Sequence, residues 1–312
     1  MSIKSKVWFI CRITAALTLG IVFVLIIAIV IMCVREDAIM RHRESVLLEP
    51  EIVTIQSLGG RVHWSDPDRL DVELRNKDIA EPHIKALAAL RTMQQRLGFS
   101  FSLKLHFDHS RFSDNSLAFL GDLPPVTSLS LYQANVTQDI LKGVEQCSSL
   151  NYITLSGTCI NDVSLEAIAR LPKLWGIYLD DTAISDSGLL VLQSACHLEK
   201  ISIANTHVTD SGVASFLKGD FQLRYLGLEN CPVGHQTMSE IGKHANLRGL
   251  NLNGTQITDS DLEYLYGLKK IKFLYVENTH VTTDAIMELK SKLPRIRHVS
   301  HGQKEDVSEK EE

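Results

Sequence analysis

The chain repeats itself every 24 residues. Leu131, Leu155 and Leu179 lie 24 apart, Ile203 follows by the same step, Leu228 arrives one residue late, and Leu252 and Val276 resume the spacing. Each sits in the same surroundings: apolar-x-apolar, then x-x-Thr-x-Ile/Val-Thr/Ser-Asp, then apolar residues at helical spacing. A unit this short cannot bury a core alone. Neighbours must stack, and the core is continuous only across repeats.

The clearest units start at Leu131, Leu155, Leu179, Ile203, Leu228, Leu252 and Val276. Two degenerate units precede them, LRNKDIAEPHI from Leu74 and FDHSRFSDNSL from Phe107. The step between these two is 33, which places an insertion around Arg91–Ser102. A final half-unit, Leu293 to Val299, repeats the strand but not the helix.

Alternating apolar positions such as Ile177 and Leu179 mark a short strand with its inward side chains in the core. Thr158, Thr182, Thr206, Thr255 and Thr279 recur three residues later, where the chain turns inward. Their hydroxyls are expected to bond backbone groups of the neighbouring turn, with Cys231 a weak substitute and Ala134 none. The pairs Ser185-Asp186, Thr209-Asp210 and Thr258-Asp259 read as helix starts, with an acid favoured at the N-terminus. Recurrence at the same helix start makes capping the reading of these acids, ahead of metal binding. Leu189 and Leu192, or Leu262, Leu265 and Leu268, then follow helical spacing toward the core.

These residues resemble the leucine-rich repeat superfamily, in the subclass with Thr or Cys at the ladder position followed by Ile-Thr-Asp. That subclass is common in bacterial membrane-linked leucine-rich repeat proteins, and related repeats occur in substrate adapters of ubiquitin ligases. The resemblance covers Leu70–Val299. It implies an α/β solenoid, a horseshoe with a parallel concave sheet and convex helices.

The remaining segments complete the organisation. Residues 1–12 form a short N-terminal tail. Residues 13–34 are almost wholly apolar and long enough to span a bilayer as one transmembrane helix. A cleavable signal peptide is the rival reading, but no A-x-A site follows Val34, and Val30-Ile31-Met32 lacks the small residues that precede a lipidated Cys33. Positive charge is balanced across the segment: Lys4, Lys6 and Arg12 against Arg35, Arg41 and Arg43. A short tail before a large domain points to a signal-anchor with the repeat domain extracytoplasmic. Residues 35–60 read as a charged stalk. Residues 61–300 form the repeat domain, with a hairpin or edge cap from Arg61 to Leu74. Residues 301–312 form a disordered acidic tail.

A formal net charge of −5 argues against a nucleic-acid surface. The six cysteines give no disulfide framework. Cys33 falls in the apolar segment and Cys11 just before it, and Cys147, Cys159, Cys196 and Cys231 read as isolated thiols. No cofactor or metal motif is present, and no P-loop, H-E-x-x-H, C-x-x-C pair or G-x-S-x-G. The sequons at Asn135 and Asn253 fall on repeat consensus positions.

Function is expected on the strand face turned away from the core. It carries aromatics and acids but almost no Leu, Ile or Val. Tyr132, Tyr152, Tyr178, Asp180, Tyr225, Glu229, Tyr275 and Glu277 are the expected contacts for a protein or glycan-containing ligand, with the acids favouring a basic or amide-rich partner. The expected activity is non-catalytic, and charge reversal at Asp180 and Glu229 is expected to weaken binding without lowering thermal stability. Two alternatives stand beside it. A ubiquitin-ligase substrate adapter is implied by the repeat resemblance alone, without the separate helical ligase-binding motif such proteins carry. A hydrolase would use Ser130, His106 and Glu73, which hold equivalent strand positions; no oxyanion hole accompanies them. His235, Glu240 and His244 do not have the spacing of a metalloprotease helix.

Overall fold

The computed structural model describes residues 43–112, 117–137, 141 and 143–302. By internal contacts the chain divides into two units, Met1–Val53 and Thr54–Glu312. Of the first, residues 43–53 hold a helical stretch and the start of the helix Pro50–Ser57. The expected transmembrane segment 13–34, the tail before it and most of the acidic tail lie outside the described residues. Among those described, no helix is long and apolar enough to cross a membrane.

The second unit is built on one eleven-stranded sheet. It begins with a hairpin, β1 (Arg61–Asp66) against β2 (Arg69–Glu73), antiparallel with Val62 opposite Val72. The sequence predicts a hairpin or an edge cap here, and β2 is itself the strand of the first repeat, the one that runs into Leu74. A two-residue strand β3 (Asp78–Ile79) follows, then β4 (Ser102–His106) and the short β5 (Arg111–Phe112). The remaining strands come once per repeat: β6 (Val126–Ser130), β7 (Tyr152–Thr154), β8 (Gly176–Tyr178), β9 (Lys200–Ser202), β10 (Tyr225–Gly227), β11 (Gly249–Asn251), β12 (Phe273–Glu277) and β13 (His298–Gly302). From β2 onward every neighbour in the large sheet is parallel and follows chain order, with β3 and β5 making a separate two-stranded sheet.

Register explains why the period was legible. Ile153, Ile177, Ile201, Leu226, Leu250 and Leu274 lie side by side, and each is 0–1 % exposed. The ladder residues Leu131, Leu155, Leu179, Ile203, Leu228 and Leu252 form the next buried row, each 0 % exposed. Side chains alternate across a strand, so these two positions face the core while the residue between them faces out. The 33-residue step is taken up by a 17-residue helix, Glu81–Leu97, which buries Ala86, Leu87, Leu90 and Met93. Phe99 and Phe101 follow it and pack on Trp64 of the cap at 6.2 and 6.0 Å.

The outer segments are short. Leu165–Ala169, Asp186–Val191, Asp210–Phe216, His235–Ile241 and Thr283–Lys292 are α-helices. Leu117–Asp122, Val144–Gln146 and Asp259–Gly267 are tighter 3-10 turns. A 24-residue unit leaves few residues for the outer layer, so a full helix is not formed in every repeat.

Two details refine the expected turn chemistry. The ladder threonines bond their own turn, not the neighbour's: Thr158 Oγ1 donates to Leu155 O at 2.5 Å, Thr182 to Leu179 O at 2.5 Å, and Thr255 to Leu252 O at 2.6 Å. Cys231 is the one that reaches across, its thiol donating to Ile203 O of the preceding repeat at 3.1 Å. The second detail lies two residues after each ladder position. Asn76, His109, Gln133, Asp181, Asn205, Asn230 and Asn278 have φ between 51° and 56°, and Gly157 and Gly254 have 71° and 67°. Every repeat therefore passes through the left-handed region at one fixed point. Asn and Asp tolerate it and Gly adopts it freely.

The acids at the helix starts do more than sit at their own N-termini. Asp162 Oδ1 accepts Ser185 N at 2.8 Å, Asp186 Oδ1 accepts Thr209 N at 2.7 Å, and Asp259 Oδ1 accepts Thr282 N at 2.7 Å. Each caps the outer segment of the next repeat. Asp210 receives Gly234 N, Gln236 N and Thr237 N at 2.9, 3.1 and 2.9 Å. Burial pushes its pKa upward, but these donors outweigh burial and hold the carboxyl below its ordinary value. Cys147 and Cys231 are buried, Cys159 and Cys196 exposed, and all four are unbridged.

Candidate functional site

The outward residues of successive strands stand in one row: Thr154 beside Tyr178, Tyr178 beside Ser202, Ser202 beside Gly227, Gly227 beside Asn251, and Asn251 beside Tyr275. Aromatic rings link across them. Tyr152 lies 5.5 Å from Tyr178, and Tyr178 stacks on Tyr225 at 6.3 Å with 23° between the planes. Tyr152 also meets Trp175 at 5.5 Å. Gly176 leaves the space this needs: a Cβ there would come 2.6 Å from the Tyr152 ring. Burial raises the Tyr152 hydroxyl well above its ordinary value. Burial first, then Tyr178 and Asp180, push Tyr225 up to about 12. Both stay neutral hydroxyls that can donate and accept.

A hollow of about 490 Å³ opens over this run, and Tyr132, Tyr152, Tyr178, Asp180, Tyr225 and Glu229 are among the residues that line it. Six of the eight expected contacts therefore converge. Tyr275 and Glu277 do not line the hollow: the Tyr275 ring packs on His298 at 5.4 Å. Tyr132 is 38 % exposed and packs edge-on against His109 at 5.3 Å.

The acids of this face are committed to the sheet. Asp180 Oδ1 accepts Ser202 Oγ at 2.5 Å and Ala204 N at 2.8 Å, and its Oδ2 accepts Ser156 Oγ at 3.1 Å. The same link, acid to the middle strand residue of the next repeat, joins Glu229 Oε2 to Asn251 Nδ2 at 3.1 Å, Asp108 to Ser130, and Glu277 to Ser300. These bonds argue against the expectation that Asp180 and Glu229 could be reversed together at no cost to thermal stability. A lysine in place of Asp180 would leave three donors facing a cation.

The Leucine Rich repeat family matches at residues 146–169 and 243–265. Both stretches run from the end of one repeat's outer segment through its neighbour's strand or outer turn, in the phase set by the buried ladder. These are leucine-rich repeats. Solved structures with partial likeness include internalin C2 of Listeria monocytogenes, at 17 % identity and TM-score 0.44 over 74 % of this chain and 80 % of that one. Another is the internalin inlF of the same organism, at 15 % identity and TM-score 0.35 over 74 % and 86 %. No curated protein matches the chain.

The leucine-rich-repeat register does bring Glu73, His106 and Ser130 side by side, despite the bulge between Leu103 and Lys104. They do not form a relay. Ser130 donates to Asp108, and Asp108 is paired with Arg75 at 3.2 Å. Burial, then Arg75, lowers the His106 pKa, so the imidazole is a poorer base than usual. His235 and His244 part company. His235 Nδ1 meets Asp261 Oδ1 at 3.1 Å and its Nε2 meets the Tyr264 hydroxyl at 2.9 Å, while His244 Nε2 meets Leu217 O at 3.0 Å.

Sequence reasoning on the leucine-rich repeats passed over the residue just before each strand. Trp175, Glu199, Arg224, Arg248, Lys272 and Arg297 occupy it. The signal was available: Arg224, Arg248 and Lys272 keep the 24-residue step, and Arg297 follows by 25.

Proposed function

We propose that this chain is a non-catalytic recognition protein whose leucine-rich repeats hold a protein segment, or a glycan-bearing one, against the open sheet face. The observation that carries the reading is the joined aromatic run Tyr152–Tyr178–Tyr225 lining a hollow with Tyr132, Asp180 and Glu229. Tyrosines held by their neighbours offer large contact area with little rotamer entropy to lose, and their tips still hydrogen-bond. The lone pairs of Asp180 and Glu229 that the sheet does not use give the hollow a negative bias toward Lys, Arg or amide groups. We further propose that residues 13–34 anchor the chain in a bilayer, with the repeats extracytoplasmic; the apolar length of that segment supports this.

The test uses the full chain and an array of ten-residue peptides differing in Lys/Arg content. The reading expects saturable binding of basic peptides. Tyr178→Ala with Tyr132→Ala should weaken it at least tenfold while Leu190→Ala, on the outer side and 43 % exposed, leaves it intact. Equal binding by the double variant would remove the open face from consideration.

A further inference from the structure

A second surface lies along the edge where the strands begin. There, from β7 to β12, the residue before the strand turns its carbonyl to the next repeat and accepts two successive N–H groups. Arg224 O takes Arg248 N at 2.9 Å and Gly249 N at 3.0 Å. Arg248 O takes Lys272 N at 2.8 Å and Phe273 N at 3.0 Å. Lys272 O takes Arg297 N at 2.9 Å and His298 N at 3.1 Å. These paired bonds fix Arg224, Arg248, Lys272 and Arg297 in a row, with about 4.8 Å from one to the next.

Arg224 has a counter-ion, Glu199, at 3.2 Å. Among the described residues, Arg248, Lys272 and Arg297 have no carboxylate within 4.0 Å. Like charges on adjacent strands repel each other. The fold holds three of them together without neutralising them, so an anion docking on the row relieves a repulsion the chain otherwise bears.

Arg224 and Arg248 of the row line a cleft of about 780 Å³, together with Trp175, Glu199, Lys200 and Phe273 among others, and Glu199 is taken up by its pairing with Arg224. Lys200 Nζ stands 5.2 Å from the centre of the Trp175 ring, and Phe273 is 41 % exposed. Arginine, aromatic rings and one exposed phenylalanine make the composition of a protein-contact centre.

We propose that this edge binds an acidic linear peptide segment of a protein partner. Its carboxylates lie along Arg248, Lys272 and Arg297, and an apolar side chain packs against the exposed Phe273. Guanidinium groups take carboxylates bidentately, which favours Arg over a diffuse positive surface for this ligand. The open face beside the edge bears Asp180, Glu229 and Glu277, so an acidic ligand is repelled from the face and retained at the edge. The two surfaces therefore select ligands of opposite charge, and this proposal stands whether or not the open face binds anything. The peptide reading is favoured over a nucleic acid because the cations form one short row in a chain of formal charge −5.

The experiment is a fluorescence-anisotropy titration of the full chain with a fluorescein-labelled ten-residue peptide of Glu and Asp carrying one Trp. A counterpart with every acid replaced by Lys serves as control. The acidic peptide should bind saturably and weaken with added salt, and the lysine counterpart should not bind. Arg248→Glu with Lys272→Glu should lower affinity more than tenfold. Phe273→Ser should lower it severalfold. Lys290→Glu, exposed on the terminal helix, should leave it within twofold. Should the double reversal fail to fold, Arg248→Gln with Lys272→Gln takes its place, with the same loss expected. Equal binding of both peptides, unchanged affinity in the edge variants, or no saturation at millimolar peptide would overturn the proposal. So would tenfold tighter binding of dextran sulfate or a ten-nucleotide single strand at the same variant-sensitive edge.

Discussion

Asp210 holds Thr237 of the following repeat from two sides: its Oδ1 accepts Thr237 N at 2.9 Å, and its backbone carbonyl accepts Thr237 Oγ1 at 3.0 Å. Thr237 is fully buried. The cap of one helix is thus supplied by the repeat before it, which ties each outer segment to its neighbour's position. Asp210→Ala removes three N–H partners at once. We expect a loss of about 1–2 kcal/mol, as for other helix caps, measured as a lower urea midpoint. Asp210→Asn, which keeps one acceptor oxygen, should lose less.

Asp180→Lys tests the double role of the open-face acids. Ser202, Ala204 and Ser156 lose their acceptor together. Thermal unfolding should shift down by several degrees, in contrast to an exposed-charge reversal such as Lys290→Glu, which should shift it little. An unchanged melting temperature for Asp180→Lys would mean the three links carry no net stability.

The left-handed turn point predicts opposite effects at two places. Asn205 has φ 53°, and Asn230 Nδ2 donates to its Oδ1 at 2.8 Å. Asn205→Val, β-branched in that conformation, should cost about 1–2 kcal/mol. Gln133, at φ 51°, is a poor fit to the same point. Gln133→Asn should be neutral to stabilising by a few tenths of a kcal/mol. Chemical denaturation of both variants reads the pair directly.

The strand phase, the cap hairpin and the terminal half-unit were legible in the sequence because burial of Leu155, Leu179 and their equivalents repeats with the chain. The Asn, Asp and Gly residues two positions later were equally periodic, yet their cause is a backbone angle, which hydropathy does not report. The forward reach of Asp162, Asp186, Asp210 and Asp259 was hidden for another reason. An acid at a helix start reads the same whether it caps its own helix or the next, and only the stacking distance decides. Six of the eight expected contacts converge because position within a strand places them. Tyr275 separates because His298, from the half-unit, takes its ring.

Two half-buried histidines set an acid limit. Burial, then Arg75, lowers the His106 pKa below 6.5, against the opposing pull of Asp108, Asp71 and Glu73. Burial lowers His244 as well, with Leu217 O and Glu240 opposing and Lys243 reinforcing. Folded, both bind a proton less readily than when unfolded. Stability is then level in this respect above pH 6.5 and falls as pH drops through 6.5 toward the lower folded values. Unfolding midpoints followed from pH 8 to pH 5 should trace this fall, and His106→Gln with His244→Gln should flatten it.

The central claim is that the open sheet face, and not the helical side, meets a partner. A photo-reactive phenylalanine analogue placed at Tyr178 in the native cell tests it most directly, with the same analogue at Leu190 for comparison. The account predicts a protein adduct at Tyr178 that is absent at Leu190 and lost when Tyr132 and Tyr225 are changed to alanine. Identical adducts from both positions, or adducts from Leu190 alone, would contradict it.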